Sequence, residues 1–195
     1  MTILDVLYGL IFQPQGTMCE LARTRPLRTG LLVFLGVCMV NYLFQGASGQ
    51  ISPSAFGSNL LPLPFWLIGI LGAITAVLMW FMSAGLFSLL GEVLYGYGNG
   101  KALLTCLSFA VFPGVLGPAL HYAAVMINLK TVGVLLYLLS MLWVMVLQVL
   151  AVREALTLTT GQAILIYILP LATIIAFFVL LLLVGGMVLS SLPLS

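Results

Sequence analysis

The sequence predicts an all-α fold, a polytopic membrane helix bundle of five transmembrane helices preceded by a short interfacial amphipathic helix. Three observations predict it. Of the 195 residues, 63% are hydrophobic and 5% charged, with a mean hydropathy of +1.29, whereas about a quarter of the residues in soluble domains are charged. The six basic and four acidic residues leave positions 29–91, 102–129, 131–152 and 155–195 free of charge. A charge at the centre of a spanning helix costs about 2.5–3.5 kcal/mol on insertion scales, so a chain in lipid gathers its charges where it re-emerges into water. Finally, the charge-free gaps hold five apolar runs, each long enough to cross about 30 Å of hydrocarbon.

Residues 1–24 form a cytoplasmic or interfacial segment that splits at Gln13-Pro14. Ile3, Leu4, Leu7, Leu10 and Ile11 recur at helical spacing, so the first dozen residues make an amphipathic helix too short to span. Asp5 stands where a signal peptide carries a basic region, and no small-residue cleavage site follows. The membrane domain covers 25–195, with spans at about 27–44, 65–90, 103–127, 132–151 and 163–189.

Arg23, Arg25 and Arg28 bracket Pro26 ahead of the first span. The uncharged stretch from Gln45 to Pro64, rich in Gly, Ser, Pro and Asn, is a loop that can dip back into the interface. In the second span Gly69, Gly72, Ala73, Ala76 and Ser83 share roughly one helical face, a candidate packing surface because small residues permit close helix approach. GEVLYGYGNGK, residues 91–101, stops that helix and turns the chain. The third span contains FPGVLGP, in which Pro113, Gly114, Gly117 and Pro118 predict a kink or break. MINLKT turns into the fourth span, and Arg153-Glu154 and TLTTGQ separate it from the fifth, which carries Pro170.

Five spans put Arg23, Arg25, Arg28, Lys101 and Arg153 on one side and Lys130 alone on the other. This asymmetry places the N-terminus in the cytoplasm and the C-terminus outside. A net charge of +2 scattered over several loops makes no nucleic-acid footprint. Three cysteines, Cys19, Cys38 and Cys106, give neither a disulfide framework nor zinc spacing, and no cofactor motif is present.

The polar residues nearest the membrane are the candidates for function. Glu92, Lys101, Arg153 and Glu154 should lie at similar depth on the cytoplasmic side. Glu92 can pair with Arg153, and because adjacent helix positions do not face each other, Arg153 and Glu154 cannot both be satisfied by one another. YGYGNGK has Tyr95 where a Walker A loop needs Gly, and Ala102 where it needs Ser or Thr, so it reads as a turn with Tyr95 and Tyr97 as interfacial anchors. His121 and Trp143 read as packing residues. No HExxH, paired-aspartate or Ser/His arrangement supports an enzyme.

FAVFP from Phe109 to Pro113, TVGVLLYLLSMLW from Thr131 to Trp143, and Gly161-Gln162 occur in an order that resembles the Ypt-interacting-protein (Yip) family. The resemblance runs from the first span to the fifth. It implies a five-span domain with a cytoplasmic N-terminus and a non-enzymatic, membrane-organising or trafficking-type adaptor role, with a protein partner at the cytoplasmic face. Eukaryotic members of that family bind prenylated Rab-type GTPases, carry Gly-Tyr where this chain has Ala110-Val111, and have a longer polar N-terminal region. A short prokaryote-type member in a prokaryotic cell membrane is the nearer resemblance. The alternative reading is a homo-oligomeric small-solute or ion translocator, with the broken third span and the Glu92/Arg153 cluster lining its path and the small face of the second span joining its subunits.

Overall fold

In the computed structural model the described residues are 3–24, 26–47 and 65–191. Arg25, most of the Gln45–Pro64 loop (48–64) and the last four residues lie outside them. Among the described residues the helices are α1 (Ile3–Phe12), α2 (Pro14–Thr24), α3 (Leu27–Ala47), α4 (Phe65–Tyr95), α5 (Gly100–Ala110), α6 (Leu116–Met126), α7 (Lys130–Leu156) and α8 (Thr160–Ser191). The 3-10 turn Phe112–Val115 joins α5 to α6, so the third span is made of three pieces. Five segments are long and apolar enough to cross a membrane: α3, α4, the α5–α6 unit, α7 and α8.

Several helices run further than their apolar composition predicts, because single residues set their ends. α4 continues to Tyr95, where Gly96 takes a left-handed φ of +75° and its N–H still reaches the Glu92 carbonyl. Gly91 allows this turn: a Cβ there would stand 2.6 Å from the Tyr97 carbonyl oxygen. α7 passes through Arg153-Glu154 and ends at left-handed Thr157, with the Leu158 N–H donating to the Arg153 carbonyl. α8 begins three residues before the predicted span because Gln162 Oε1 accepts from the Thr159 N–H at 3.0 Å, the return arm of a Thr-x-x-Gln capping box.

α2 is an element the hydrophobic pattern did not predict. Pro14 sits at its first position, where a missing N–H has no cost. Thr17, Met18 and Leu21 turn inward onto α5 and α7. α1 folds back on α2, with Gly9 opposite Thr17 where any Cβ would collide, and buries Val6 and Leu10. The interfacial helix is therefore half of a folded cap at one end of the bundle, here termed the α2 end.

α5 occupies the centre of the core. Ala102, Leu103, Thr105, Cys106, Leu107, Ser108, Phe109 and Ala110 are all buried. Gly30 brings α3 close, since a Cβ there would lie 3.2 Å from Ser108 Oγ. Trp80 on α4 donates from Nε1 to the Leu104 carbonyl at 3.2 Å and stacks on Phe34 of α3. Leu147, Ala151, Val152 and Leu156 of α7, with Ala163 and Ile166 at the start of α8, complete this core, which lies in the half of the bundle nearest α2.

Candidate functional site

The charged residues named from sequence share the α2 end but do not form one network. Glu92, in the last turn of α4, is exposed, and its carboxylate folds back on the turn so that a Cβ at Gly98 would meet Oε2 at 3.0 Å. Lys101 is exposed in the first turn of α5, which Asn99 caps by accepting from the Ala102 N–H. Arg153 Nε lies 3.5 Å from Glu154 Oε1, with the side chains 28% and 17% exposed.

No ion pair joins Glu92 to Arg153 among the described residues. At the last turn of α7 the long arginine stem curls sideways to its neighbour, which overcomes the poor facing of adjacent positions. Such a partly exposed pair contributes no more than about 1 kcal/mol.

The small face of α4 is divided. A Cβ at Gly69 would touch the Tyr42 ring at 2.9 Å, so this glycine serves the contact with α3, whereas Gly72 has open space. Ala76 packs against the core, Ala73 is half-buried, and Ser83 donates to the Trp80 carbonyl.

At the third-span break, Ser140 Oγ on α7 donates to the Pro113 carbonyl at 2.8 Å, satisfying an acceptor in the irregular turn. Gly117 lies against Ser140 and Tyr137, and Gly114 against Val144, so α7 approaches the break closely. The break forms one wall of a cavity of about 440 Å³. Gly114, Gly117 and Pro118 face Asn41 of α3, Ser140 and Gln148 of α7, and Tyr167 of α8 across it. A second cavity of about 410 Å³, lined by Phe44, His121 and Tyr122, shares Gln45, Pro118 and Tyr137 with the first, so the two form one cleft.

Tyr167 Oη donates to Gln148 Oε1 at 2.5 Å on the wall of this cleft. Asn41 Oδ1 and His121 Nδ1 are buried without a hydrogen-bond partner among the described groups, each an arrangement that costs about 1–3 kcal/mol when left unsatisfied. A third cavity of about 730 Å³ lies between α4 and α8 and shares Phe34, Val111, Met145, Gln148 and Tyr167 with the first.

His121 packs edge-on to Tyr137 while its Nδ1 has no hydrogen-bond partner among the described groups, and Trp143 is 36% exposed on α7. The elements of the translocator reading are also separated. At about 1.5 Å per residue, Pro113 lies about 20 Å from the Gly100 end of its span, while Arg153 is within a turn of the α7 end. Neither Glu92 nor Arg153 is among the residues lining the cleft.

Sequence reasoning missed Asn41, Gln148 and Tyr167. The available signal was an amide side chain inside an otherwise apolar run, as in VCMVNYLF and VMVLQVLAV.

Four apolar spans around a broken central one, closed at one end by a helical cap, define a multi-pass α-helical integral membrane protein. The family model of the Yip1 domain matches residues 8–182, and the chain belongs to that family. The matched range starts inside α1 and takes in α2, the first four spans and most of the fifth. Neither the curated proteins nor the solved structures compared with the chain include a match.

Proposed function

We propose that this Yip1 domain protein is a non-enzymatic membrane-organising or trafficking-type adaptor whose working face is the α2 end, held on the cytoplasmic side. The observation that carries the reading is the cap. α1 and α2 bury Leu10, Met18 and Leu21 against the bundle, so they hold a fixed surface, and the same end exposes Arg23, Arg28, Glu92 and Lys101. Tyr8 and Phe12 stack on the outer side of α1, 66% and 64% exposed, as aromatic side chains do at a bilayer interface. Beneath α2 a cavity of about 240 Å³ is lined by Glu20, Thr24 and Thr29. Basic residues favour this end over the Lys130 end, which supports a cytoplasmic orientation.

Orientation is tested by a membrane-impermeant maleimide on Gly98→Cys and Asn128→Cys variants. Asn128→Cys should label in intact cells and Gly98→Cys only after permeabilisation; the reverse pattern overturns the orientation. The adaptor role is tested with a photo-crosslinking residue at Val93, which is 80% exposed beside Glu92. A discrete protein adduct that Glu92→Gln and Lys101→Gln abolish supports a docking face. Adducts with lipid alone, or adducts indifferent to both substitutions, overturn it.

A further inference from the structure

We propose that the cavity between α2 and the start of α3 binds the head of a zwitterionic phospholipid that carries a primary ammonium, with the ammonium on Glu20 and the phosphate on the Arg28 side. The cavity, of about 240 Å³, is lined by Glu20, Thr24 and Thr29 and by the apolar Val6, Leu21 and Phe109. It has room for several waters or one small polar group. The polar lining is within reach of a ligand, since Glu20 and Thr29 are half-buried and Thr24 is exposed. The site is independent of protein docking at the α2 end and of the orientation of the chain.

The charges around the cavity are separated. Among the described residues Glu20, Arg23 and Arg28 form no ion pair. Arg23 follows Glu20 by three positions, a spacing at which helix side chains can meet, yet Glu20 lines the cavity instead. The helix ends add to the separation. α2 ends at Thr24, close to Glu20, with its partial negative charge, and α3 begins at Leu27, in the turn that carries Arg28 and Thr29, with its partial positive charge. A carboxylate and a helix C-terminus on one side, with a guanidinium and a helix N-terminus on the other, fit a dipolar head in one orientation. A purely anionic head would set its charge against Glu20, and an uncharged head would leave both charges unanswered.

The acceptors discriminate between amines. The Glu20 carboxylate accepts at both oxygens, and Thr24 Oγ1, which donates to the Glu20 carbonyl at 2.9 Å, keeps lone pairs for accepting. A primary ammonium brings three donors to such acceptors, whereas a quaternary ammonium brings none and is held by aromatic cages. Phe109 is the single aromatic side chain among the described residues lining the cavity, too few for a cage.

The position favours a membrane lipid over a soluble phosphoamine. The cavity lies at the first turn of α3, where the first span begins. From Thr29 the positions Leu32, Gly36 and Met39 continue as one stripe of that helix. Leu32 is 70% and Met39 65% exposed, and a Cβ on Gly36 would meet nothing within 4 Å. Acyl chains can therefore lie along the helix whose first turn faces the phosphate, held by ordinary dispersion contacts.

The test titrates the full chain in detergent with phosphatidylethanolamine, phosphatidylcholine and phosphatidylglycerol of equal acyl chains and counts bound lipid by native mass spectrometry. Phosphatidylethanolamine should be retained about tenfold more tightly than either of the others, the equivalent of one hydrogen bond to a charged group. Glu20→Gln, which keeps the shape and removes the charge, should erase the preference for ethanolamine over choline. Arg28→Gln should weaken both of these lipids together, severalfold. Glu20 is half-buried and Arg28 exposed, so both variants should melt close to the native chain, and Lys130→Gln at the opposite end should leave the preference intact. The proposal is overturned by equal retention of the three lipids, by tighter retention of phosphatidylglycerol, which would mark a basic surface only, or by an ethanolamine preference that survives Glu20→Gln. Displacement of the lipid by an equal concentration of soluble glycerophosphoethanolamine would overturn the assignment to a membrane lipid.

Discussion

The third and fifth spans are equally free of internal charge, yet half of the third span's most apolar stretch is buried inside the bundle and only 6% of the fifth's. Hydrophobicity does not separate them; side-chain size does. α5 offers Ala102, Thr105, Cys106, Ser108 and Ala110, and neighbouring helices close in on all of them. α8 beyond Pro170 is mostly Leu, Ile, Val and Phe, and positions 171–183 are exposed throughout. In lipid an apolar side chain gains little by leaving hydrocarbon, so close packing and interhelical hydrogen bonds decide which span becomes the core. α8 is held through its first turns, where Ala163 and Ile166 are buried and Tyr167 reaches Gln148.

The largest expected contrast comes from deleting the same side chain in each span. Leu103→Ala in α5 should destabilise the protein by about 2–5 kcal/mol, while Leu180→Ala in α8 should stay within about 0.5 kcal/mol. Unfolding of detergent-solubilised protein by dodecyl sulfate titration measures both, and equal losses would break the comparison. Adding volume should discriminate next. Ala110→Leu forces bulk into a fully buried site and should cost about 1–3 kcal/mol, whereas Ala172→Leu on the lipid face should leave the melting temperature unchanged.

A smaller effect isolates the polar contribution. Trp80→Phe keeps the stacking on Phe34 but removes the donor to the Leu104 carbonyl, so a loss of about 0.5–1.5 kcal/mol is expected in the same titration. No loss would mean that packing alone holds α4 to α5.

Charge spacing made all five spans legible, because the energetic penalty it reflects acts on each span independently of the others. The ends were less legible. They depend on Gly96 and Thr157 adopting left-handed φ, which apolar runs do not encode. α2 escaped notice because only a few of its residues are apolar, and its burial is created by α5 and α7 rather than by a strong pattern of its own. The irregular third span was signalled by two prolines and two glycines in seven residues. The cleft beside it was not signalled, since Asn41, Gln148 and Tyr167 come from three different spans and meet only through tertiary packing. The small residues of α4 drew attention that those of α5 warranted more, because a face of small residues shows that close approach is permitted, not which neighbour uses it.

The smallest expected effect tests how α8 is attached. Gln162 is half-buried and its side-chain oxygen accepts from the Thr159 N–H, an N–H that water can satisfy once the side chain is gone. Gln162→Ala should therefore cost only about 0.5 kcal/mol overall. Its consequence is local: with the outward half of α8 unsupported by neighbours, fraying of the first turn should loosen the Tyr167–Gln148 contact before any other span responds. Hydrogen exchange should speed up at residues 160–167 and remain unchanged in α5, and Gln162→Glu, which retains an acceptor at the same capping position, should restore protection. Acceleration spread equally over α5 would show that α8 is part of the core after all, and the division between a packed third span and a peripheral fifth would fail.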